Sequence, residues 1–357
     1  MLALGLMSFN FMSELGYFTE IAKASAQHDI TVYRFSPENI DTQNDLIKGE
    51  WFDIHSGIWL PASFPVPPFI YDRLFQGMMN SSERTREKIK WLKDHSTFLG
   101  YGLPGKWEVF QSVARLSGLK VFFPETSKIY ESRDIWAELH KHGRIMLKPE
   151  FGSGGMGIYL LSKDKNSVRI RMTKKDGGYE RTLSNVDQIE RWFSVLLSES
   201  PYICQQYLEL SNRENRPYDV RLFLQKDERN IWTERGRGVR VGSKHAVTAN
   251  LAAGAKAIPF QSLLRSYPAD IQKRIENSIS VIKRTLPQEL EKRFRRLFEL
   301  GIDIGIDRSG KVWILDINSK PGRKLIEQLL QDKTHLLYSA PLLYCKYLDS
   351  ELVKAGD

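Results

Sequence analysis

Cysteine and histidine are scarce in this sequence. Its 357 residues include two cysteines, Cys204 and Cys345, and seven histidines, and none of them has the spacing of a zinc site. The two cysteines lie far apart in apolar surroundings, which predicts buried free thiols in a reducing compartment. The pattern excludes a disulfide-stabilised secreted domain and a metal centre built from cysteine and histidine.

Long apolar segments, repeats and low-complexity segments are also absent. The first residues, MLALGLMSFNFM, are apolar, but they are too few to span a membrane and carry no basic leader. They predict a first β-strand and a protein that is cytoplasmic when made, with no membrane span. With 41% hydrophobic and 27% charged residues, the length suits two or three globular domains.

Acidic residues are outnumbered by basic ones. There are 52 lysines and arginines against 43 acids, so the net charge is +9, which favours anionic partners. Basic residues are dense between Lys283 and Arg296, where a solvated amphipathic helix is the favoured interpretation. Because Arg235, Arg237 and Arg240 lack the interleaved aromatic residues of a nucleic-acid groove, nucleic acid is not an expected partner.

A glycine-rich stretch is the first functional signal. Residues 145–159 are IMLKPEFGSGGMGIY, in which two apolar strand beginnings flank Lys148 and a loop that contains Gly152, Ser153, Gly154, Gly155 and Gly157. No Gly-Lys-Ser/Thr follows and no helix begins after the loop, which excludes a Walker loop and the dinucleotide fingerprint. Glycines let backbone N–H groups approach phosphate oxygens, and Lys148 adds a positive charge. An ordinary glycine-containing hairpin remains the alternative.

A second signal lies in residues 301–322, GIDIGIDRSGKVWILDINSKPG. Two alternating apolar segments flank the turn at 307–310, which predicts a β-hairpin. Strand alternation places three oxygen-bearing side chains together, with Ile314 beside them: Asp303, Asp316 and Asn318. Carboxylates that are close and partly buried require a cation, and these oxygen ligands suit Mg²⁺, or Mn²⁺ in its place. The alternative is a solvated polar face.

The two stretches in this order resemble the ATP-grasp superfamily, with a likeness that covers Lys106 to about Gly322. The whole chain is also similar to the YheC/YheD-like branch, the spore-coat-associated ATP-grasp proteins of endospore-forming bacteria. The narrower likeness is carried by LGLMS near the start, PFIYDR at 68–73, KWEVFQ at 106–111, YDVR at 218–221 and NSKPGR at 318–323.

The resemblance implies an α/β protein with an α+β lid, in which an open α/β domain precedes the ATP-grasp fold. The expected parts are an N-terminal domain over 1–98, a central lid domain with the glycine loop over 99–201, and a C-terminal domain with the metal hairpin over 202–357. Within them, Pro61–Pro68 is expected to be a connection. Residues 268–300 are expected to be helical with an interruption at Pro287.

The resemblance also implies a nucleotide site. Lys106, Lys148 and the glycine loop would hold phosphates, and a strand over 202–210 would form the hinge that binds adenine. Gln206, Tyr207 and Leu208 match the centre of this hinge, and Glu209 would bind the ribose hydroxyls. Arg221, Arg240 and Asn250 match catalytic positions. The sequence departs from the family at Gln206, where many members have glutamate, and at Ala255, where a second glycine is common.

The implied activity is an ATP- and Mg²⁺-dependent ligation, in which a carboxylate becomes an acyl phosphate and is attacked by an amine or a thiol. Arg73, Arg221, Arg240 and Arg323 suggest an anionic small molecule or peptide as substrate. Asp72 and Arg73 end a strand where α/β sheets bind ligands, but a surface ion pair fits them equally. The resemblance also implies spore-coat proteins as partners and an association with the spore. Two other functions stay open: a non-catalytic, nucleotide-binding component of the spore coat, and a kinase.

Overall fold

The computed structural model describes residues 2–74, 82–152, 154–174, 177–212, 214–244, 246–249, 251 and 254–356. Ser153 and Asn250, two of the predicted site residues, lie outside the described residues. Within the described residues the strands form three sheets, and helices pack against them. The α/β class predicted from the sequence is therefore confirmed.

The first sheet is built from β1 (Leu2–Met7), β2 (Ile30–Phe35), β3 (Ile40–Asp41), β4 (Leu46–Asp53), β5 (Ile58–Pro65), β6 (Phe69–Asp72) and β7 (Thr97–Phe98). Its order is β3-β4-β2-β1-β6-β7, with β5 paired to β4. The strands β2, β1, β6 and β7 run parallel, and α1 (Phe11–Ala24) and α2 (Glu83–His95) follow β1 and β6.

The prediction of an irregular connection over Pro61–Pro68 was wrong for most of its length. The strand β5 covers Ile58–Pro65 and pairs antiparallel with β4 along eight positions. Proline cannot donate a backbone hydrogen bond, but an edge strand tolerates it because one side of that strand has no partner. The edge position of β5 thus explains why a proline-rich segment is extended and paired.

The second sheet is antiparallel, in the order β12-β11-β10-β9-β13-β8. The helix α3 (Lys106–Val113) precedes it, and α4 (Ser132–His142) and α5 (Val186–Glu199) pack against it. Its strands are β8 (Thr126–Ile129), β9 (Arg144–Pro149), β10 (Tyr159–Asp164), β11 (Ser167–Lys174), β12 (Gly177–Leu183) and β13 (Tyr202–Gln206). The glycine loop joins β9 to β10.

The third sheet is antiparallel, in the order β16-β15-β14-β17-β18. Its strands are β14 (Tyr218–Lys226), β15 (Trp232–Val241), β16 (Lys256–Pro259), β17 (Glu299–Ile306) and β18 (Val312–Asn318). The accompanying helices are α6 (Phe260–Leu264), α7 (Ala269–Arg293), α8 (Lys324–Leu329) and α9 (Thr334–Gly356).

The helix α7 differs from its prediction at two points. It continues through Pro287, which is buried, because a regularly spaced apolar face (Ile275, Ile279, Ile282, Leu286 and Leu290) packs into the core and outweighs the lost hydrogen bond. The chain is also not helical to Leu300. Residues from Glu299 onward form β17, because Leu300 and Ile302 are buried between α7 and the neighbouring strands β14 and β18.

Two helices pack against sheets that are not the ones next to them in the sequence. The helix α3 precedes the second sheet, but Val109 and Val113 belong to the core of the third sheet. The helix α9 follows the third sheet and packs on α1, where Leu337 and Tyr344 share a core with the first sheet. The domain boundaries predicted at 98 and 201 stay predictions, and these contacts show that the cores are built from distant segments.

Candidate functional site

A cavity of about 1200 Å³ is lined by the second and third sheets and by the segments that follow β1 and β18. It brings together most of the residues predicted from the sequence, namely Lys106, Lys148, Gly154, Gly155, Gln206, Tyr207, Leu208, Glu209, Arg221, Arg240, Asp303, Asp316 and Asn318. Gly152 lines a neighbouring cavity of about 270 Å³. Gly157 lines neither cavity, and a Cβ atom there would lie 2.8 Å from Pro149.

The hairpin of β17 and β18 positions the acidic residues. Asp303 lies directly opposite Asp316, and Asn318 lies opposite Gly301, so the three oxygen-bearing side chains share a face. The register shifts next to this pair, because Ile304 lies opposite Ile314 and leaves Leu315 as the extra residue of a bulge. Adjacent residues Asp303 and Ile304 face opposite sides of the sheet, and so do their partners. The expectation that Ile314 lies beside the acids is therefore wrong, since Ile314 is buried in the core.

Two arginines neutralise Asp303. The Nε atom of Arg221 donates to Oδ1 at 2.5 Å, and Arg240 lies 2.9 Å from Oδ2. Burial alone would raise the pKa of Asp303, but the two guanidinium groups outweigh it and lower the pKa to about 2. Gly301 makes this arrangement possible, because a Cβ atom there would lie 2.9 Å from the Arg221 guanidinium.

Arg240 also binds Asp219, which the sequence did not indicate. Its Nε atom donates to Oδ1 of Asp219 at 2.6 Å. Burial raises the pKa of Asp219, Arg240 opposes this effect, and the nearby charge of Asp303 adds to it, so that the pKa is about 6. Asp219 and Arg221 lie on the same face of β14, and the partner Arg240 lies directly opposite Asp219 on β15, which is a tertiary contact.

Lys106 neutralises Asp316. Its Nζ atom lies 3.0 Å from both carboxylate oxygens and 3.2 Å from the carbonyl oxygen of Gly152, and the amide of Asn318 donates to the same carboxylate at 3.3 Å. Basic side chains thus lie beside both carboxylates of the hairpin and balance their charge. Among the described residues there is no group of three or more histidine, cysteine or acidic side chains that could hold a metal. The candidate metal site consists of two carboxylates and one amide.

Lys148 is buried beside these residues. Its Nζ atom donates to Oε1 of Gln205 at 2.5 Å and to the carbonyl oxygen of Leu315 at 3.1 Å. Burial lowers the pKa of Lys148, Asp316 opposes this effect and Lys106 adds to it, with the result that the pKa is about 8. Sequence reasoning missed Gln205, which is buried beside Gln206 at the end of β13, and the available signal was this polar pair after three apolar residues.

The glycine loop has the backbone that its composition predicted. Gly152, Gly154, Gly155 and Gly157 all have positive φ angles, between +70° and +117°. Residues with a Cβ atom rarely adopt this conformation, so the loop depends on glycine. It directs the backbone between β9 and β10 along the edge of the large cavity.

The predicted hinge is shorter than expected. The strand β13 ends at Gln206 instead of Leu210, and among the described residues no strand pairs with Tyr207, Leu208 or Glu209. The carbonyl of Leu208 accepts from the N–H group of Leu210 at 2.9 Å. The N–H group of Gln206 donates to the carbonyl of Glu125 at 2.8 Å. Glu209 is exposed and pairs with Arg144, whose guanidinium lies over the ring of Tyr207 at 4.5 Å.

Asp72 and Arg73 do not form a surface ion pair, because both side chains are buried. Arg73 is fully buried, pairs with Glu14 and Glu299, and donates to the carbonyl of Pro321 at 3.2 Å. Asp72 accepts from Lys320 at 2.7 Å. These contacts attach the end of β6 to the segment after β18, so Arg73 is removed from the set of predicted substrate contacts.

Comparison with known proteins identifies the family. The model of the YheC/D-like ATP-grasp family matches residues 95–348. The chain belongs to this family. It is 35% identical over 358 residues to the endospore coat-associated protein YheC of Bacillus subtilis (strain 168), covering 100% of this chain and 98% of YheC.

Solved structures agree with the ATP-grasp fold. D-alanyl-alanine synthetase A from Vibrio cholerae O1 biovar eltor str. N16961 has a TM-score of 0.55 at 13% identity, with 97% of each chain covered. N5-carboxyaminoimidazole synthetase from Staphylococcus aureus, complexed with ADP, has a TM-score of 0.51 at 12% identity, with 90% of this chain and 71% of that chain covered. In the described part of this ATP-grasp chain, no helix has the length and apolarity of a membrane span.

Proposed function

We propose that this protein is an ATP- and Mg²⁺-dependent ligase that activates a carboxylate as an acyl phosphate for attack by an amine or a thiol. The observation that carries the proposal is the shared cavity, in which two lysines, a glycine loop, the hinge segment after β13 and an acidic hairpin lie together. Because the relative YheC is endospore coat-associated, we also propose an association with the spore coat.

Each part of the cavity suits one part of the nucleotide. The hinge backbone of Tyr207 and Leu208 would bind the adenine ring, and Glu209 would bind the ribose after leaving Arg144. Lys106 and Lys148 would bind phosphate oxygens together with the N–H groups of the glycine loop. ATP would therefore lie along the second sheet, with its phosphates directed toward β17 and β18.

The acidic hairpin fits Mg²⁺ by its donor chemistry. Asp303, Asp316 and Asn318 offer hard oxygen atoms on one face, and Mg²⁺ prefers such ligands together with phosphate oxygens. When bound, the ion would neutralise charge on the β- and γ-phosphates. The side chains that now neutralise the carboxylates, Lys106 on Asp316 and Arg221 on Asp303, would then be available to the phosphates.

The chemistry needs positioning more than a nucleophilic side chain. A carboxylate oxygen of the substrate attacks the γ-phosphorus and ADP leaves, which produces the acyl phosphate. The amine or thiol then attacks the acyl carbon and expels phosphate, and it gives up a proton. Arg221 and Arg240, which contact Asp303 in the cavity, would stabilise the charge on the transferred phosphoryl group. Asn250 stays a prediction as the third catalytic residue.

The direct test is stabilisation by nucleotide. Ligand that binds only the folded state adds about 2.7 kcal/mol at a hundredfold excess over Kd, so Mg²⁺ and ATP are expected to raise the melting temperature clearly. Lys148→Ala is expected to remove most of the shift and leave the apo protein folded, because a buried cation is lost along with its desolvation cost.

Product analysis then separates the ligase from its alternatives. Release of ADP, phosphate and an amide or thioester supports the ligase, whereas a phosphoester product supports a kinase. Nucleotide binding without ADP release across a panel of acidic metabolites and peptides supports a structural component. An absent temperature shift in the wild-type protein would rule out the nucleotide site itself.

A further inference from the structure

A chain of side-chain hydrogen bonds crosses the second sheet and ends at Lys148. Gln205 of β13 lies directly opposite Thr126 of β8, and Lys148 of β9 is its diagonal neighbour on the same face of the sheet. The Nε2 atom of Gln205 donates to Oγ1 of Thr126 at 3.2 Å, and its Oε1 atom accepts from Lys148 at 2.5 Å. Three neighbouring strands are therefore joined by one chain of polar contacts.

The hydroxyl group of Thr126 fixes the orientation of the Gln205 carboxamide. Its single hydrogen is donated to the carbonyl of Pro124 at 3.0 Å, so its oxygen can only accept a hydrogen bond from Gln205. The amide nitrogen of Gln205 therefore faces Thr126, and the carbonyl oxygen faces Lys148. Because Gln205 is only 6% exposed, water is not an alternative partner for either end of the amide.

Two fixed acceptors hold the ammonium group of Lys148. The second acceptor, beside Gln205, is the carbonyl oxygen of Leu315, the bulge residue of β18, at 3.1 Å. An ammonium group has three donor hydrogens, and within the described part of the chain these two acceptors are the only ones that bind it. Since the three N–H bonds point in fixed directions from the nitrogen atom, two occupied bonds determine the direction of the third.

The two acceptors orient Lys148 without neutralising it. Gln205 and Leu315 contribute neutral oxygen atoms, so they cancel less of the positive charge than a carboxylate in the same place would. The groups whose charges act on Lys148 belong to the hairpin, to β14 and to α3, namely Asp316, Asp303, Asp219 and Lys106. Lys148 lines the large cavity, so its remaining N–H bond is available to a ligand there.

We propose that Gln205 is a positioning residue, which directs the remaining N–H bond of Lys148 at a phosphate group of the nucleotide. The amide meets two requirements, because its oxygen orients the ammonium group and its neutrality avoids competition with the phosphate. Thr126 acts through Gln205, since it fixes the direction of the amide. This inference rests on the proposed function and adds to the nucleotide site a residue that the sequence did not indicate.

The test measures the affinity of the full chain for a non-hydrolysable ATP analogue with Mg²⁺, by calorimetry from about pH 6 to about pH 10. Gln205→Glu adds a carboxylate that pairs with Lys148 and raises its pKa. We therefore expect the affinity at neutral pH to fall about tenfold and its decline with pH to begin about one unit higher. Gln205→Leu removes an acceptor of the charged form, so the affinity falls as well, but the decline begins about one unit lower. A merely structural role would lower the affinity without these opposite shifts.

Threonine variants test the chain from its other end. Thr126→Val releases the carboxamide at nearly the same side-chain size and is expected to weaken binding about threefold to tenfold, whereas Thr126→Ser keeps the hydroxyl group and is expected to bind as the wild type does. Thr182→Val, at an exposed position of the same sheet, is the control. If Thr126→Val binds as tightly as the wild type, or if the two Gln205 variants do not shift the pH profile in opposite directions, positioning by Gln205 is wrong and the nucleotide site stands. If the wild-type protein does not bind the analogue, the proposed function fails as well.

Discussion

The charged side chains that indicate most about ligand binding in this protein are buried and have few partners. Lys148 is held by one amide oxygen and one backbone carbonyl, neither of which is charged. Its ammonium group therefore carries a desolvation cost in the apo protein that Asp316 offsets only in part. A phosphate group that binds beside Lys148 removes this cost, so Lys148 favours the binding of an anionic ligand.

The lowered pKa of Lys148 predicts a pH dependence. The unfolded lysine has a pKa near 10.5 and the folded one a pKa of about 8, so between these values the unfolded chain holds the additional proton. Apo stability from this group consequently rises with pH through that window. In the proposed nucleotide site the protonated form of Lys148 binds ATP, so we expect the affinity for ATP to fall by up to about tenfold for each pH unit above 8. Calorimetric titration from pH 7 to pH 9.5 measures this slope.

The matched variant is Lys148→Arg. Arginine stays protonated through the whole range, so its affinity for ATP is expected to be nearly independent of pH, even where its geometry makes binding weaker. Equal slopes for lysine and arginine would show that another group causes the pH dependence.

At the scale of elements, the hairpin of β17 and β18 contains two acidic residues whose contacts differ. Asp307 holds its turn, because Oδ1 accepts from the N–H groups of Ser309 and Lys311 and Oδ2 accepts from the indole of Trp313 at 3.0 Å. Asp316, farther along β18, is partly exposed and pairs with Lys106. One hairpin thus contains an acid that stabilises the turn and an acid that faces the cavity.

Two substitutions in this hairpin are expected to have opposite effects. Asp307→Asn is expected to lower the free energy of unfolding by about 1–3 kcal/mol, because an amide nitrogen cannot accept all of these bonds, and to leave the Mg²⁺ dependence of ATP binding unchanged. Asp316→Asn is expected to change stability by less than about 1 kcal/mol and to weaken that Mg²⁺ dependence severely. Urea unfolding and Mg²⁺ titration with ATP are measured for both variants, and a reversed pattern would contradict the metal assignment.

The sequence predicted those parts of the site that depend on local patterns. Glycine spacing predicted the loop after β9, and alternation predicted the hairpin with Asp303 and Asp316 together. The bulge at Leu315 was not predictable, because the residue types of β18 do not show that one of its residues lacks a partner on β17. The strand β5 was missed for a related reason, since only its edge position makes its prolines acceptable.

At the scale of the whole molecule, a buried charge network joins the first sheet to the third. Arg73 contacts Glu14 of α1 and Glu299 of β17, and Arg323 contacts Glu14 at 2.6 Å. The sequence could not predict this network, because its members are separated by up to 309 positions. It fixes α1 and β17 relative to one another.

Loss of Arg73 is therefore expected to be costly. Arg73→Ala leaves Glu299 buried without its partner, and we expect the free energy of unfolding to fall by about 3–5 kcal/mol. Arg133→Ala is the control, because its side chain is 82% exposed and its pair with Glu131 is worth less than about 1 kcal/mol. Equal losses in urea unfolding would show that the network does not stabilise the fold.

The packing of α9 on α1 has a consequence for synthesis. The core of the first sheet includes Leu4 and Phe18 together with Leu337 and Tyr344. This core is therefore incomplete during translation until the C-terminal helix α9 has been synthesised. At a translation rate of about 5–20 residues per second, the interval between synthesis of the first sheet and synthesis of α9 is on the order of 10 to 60 seconds. During this time the nascent first sheet exposes the apolar surface that α9 later covers, and a ribosome-bound chaperone would find its binding site there.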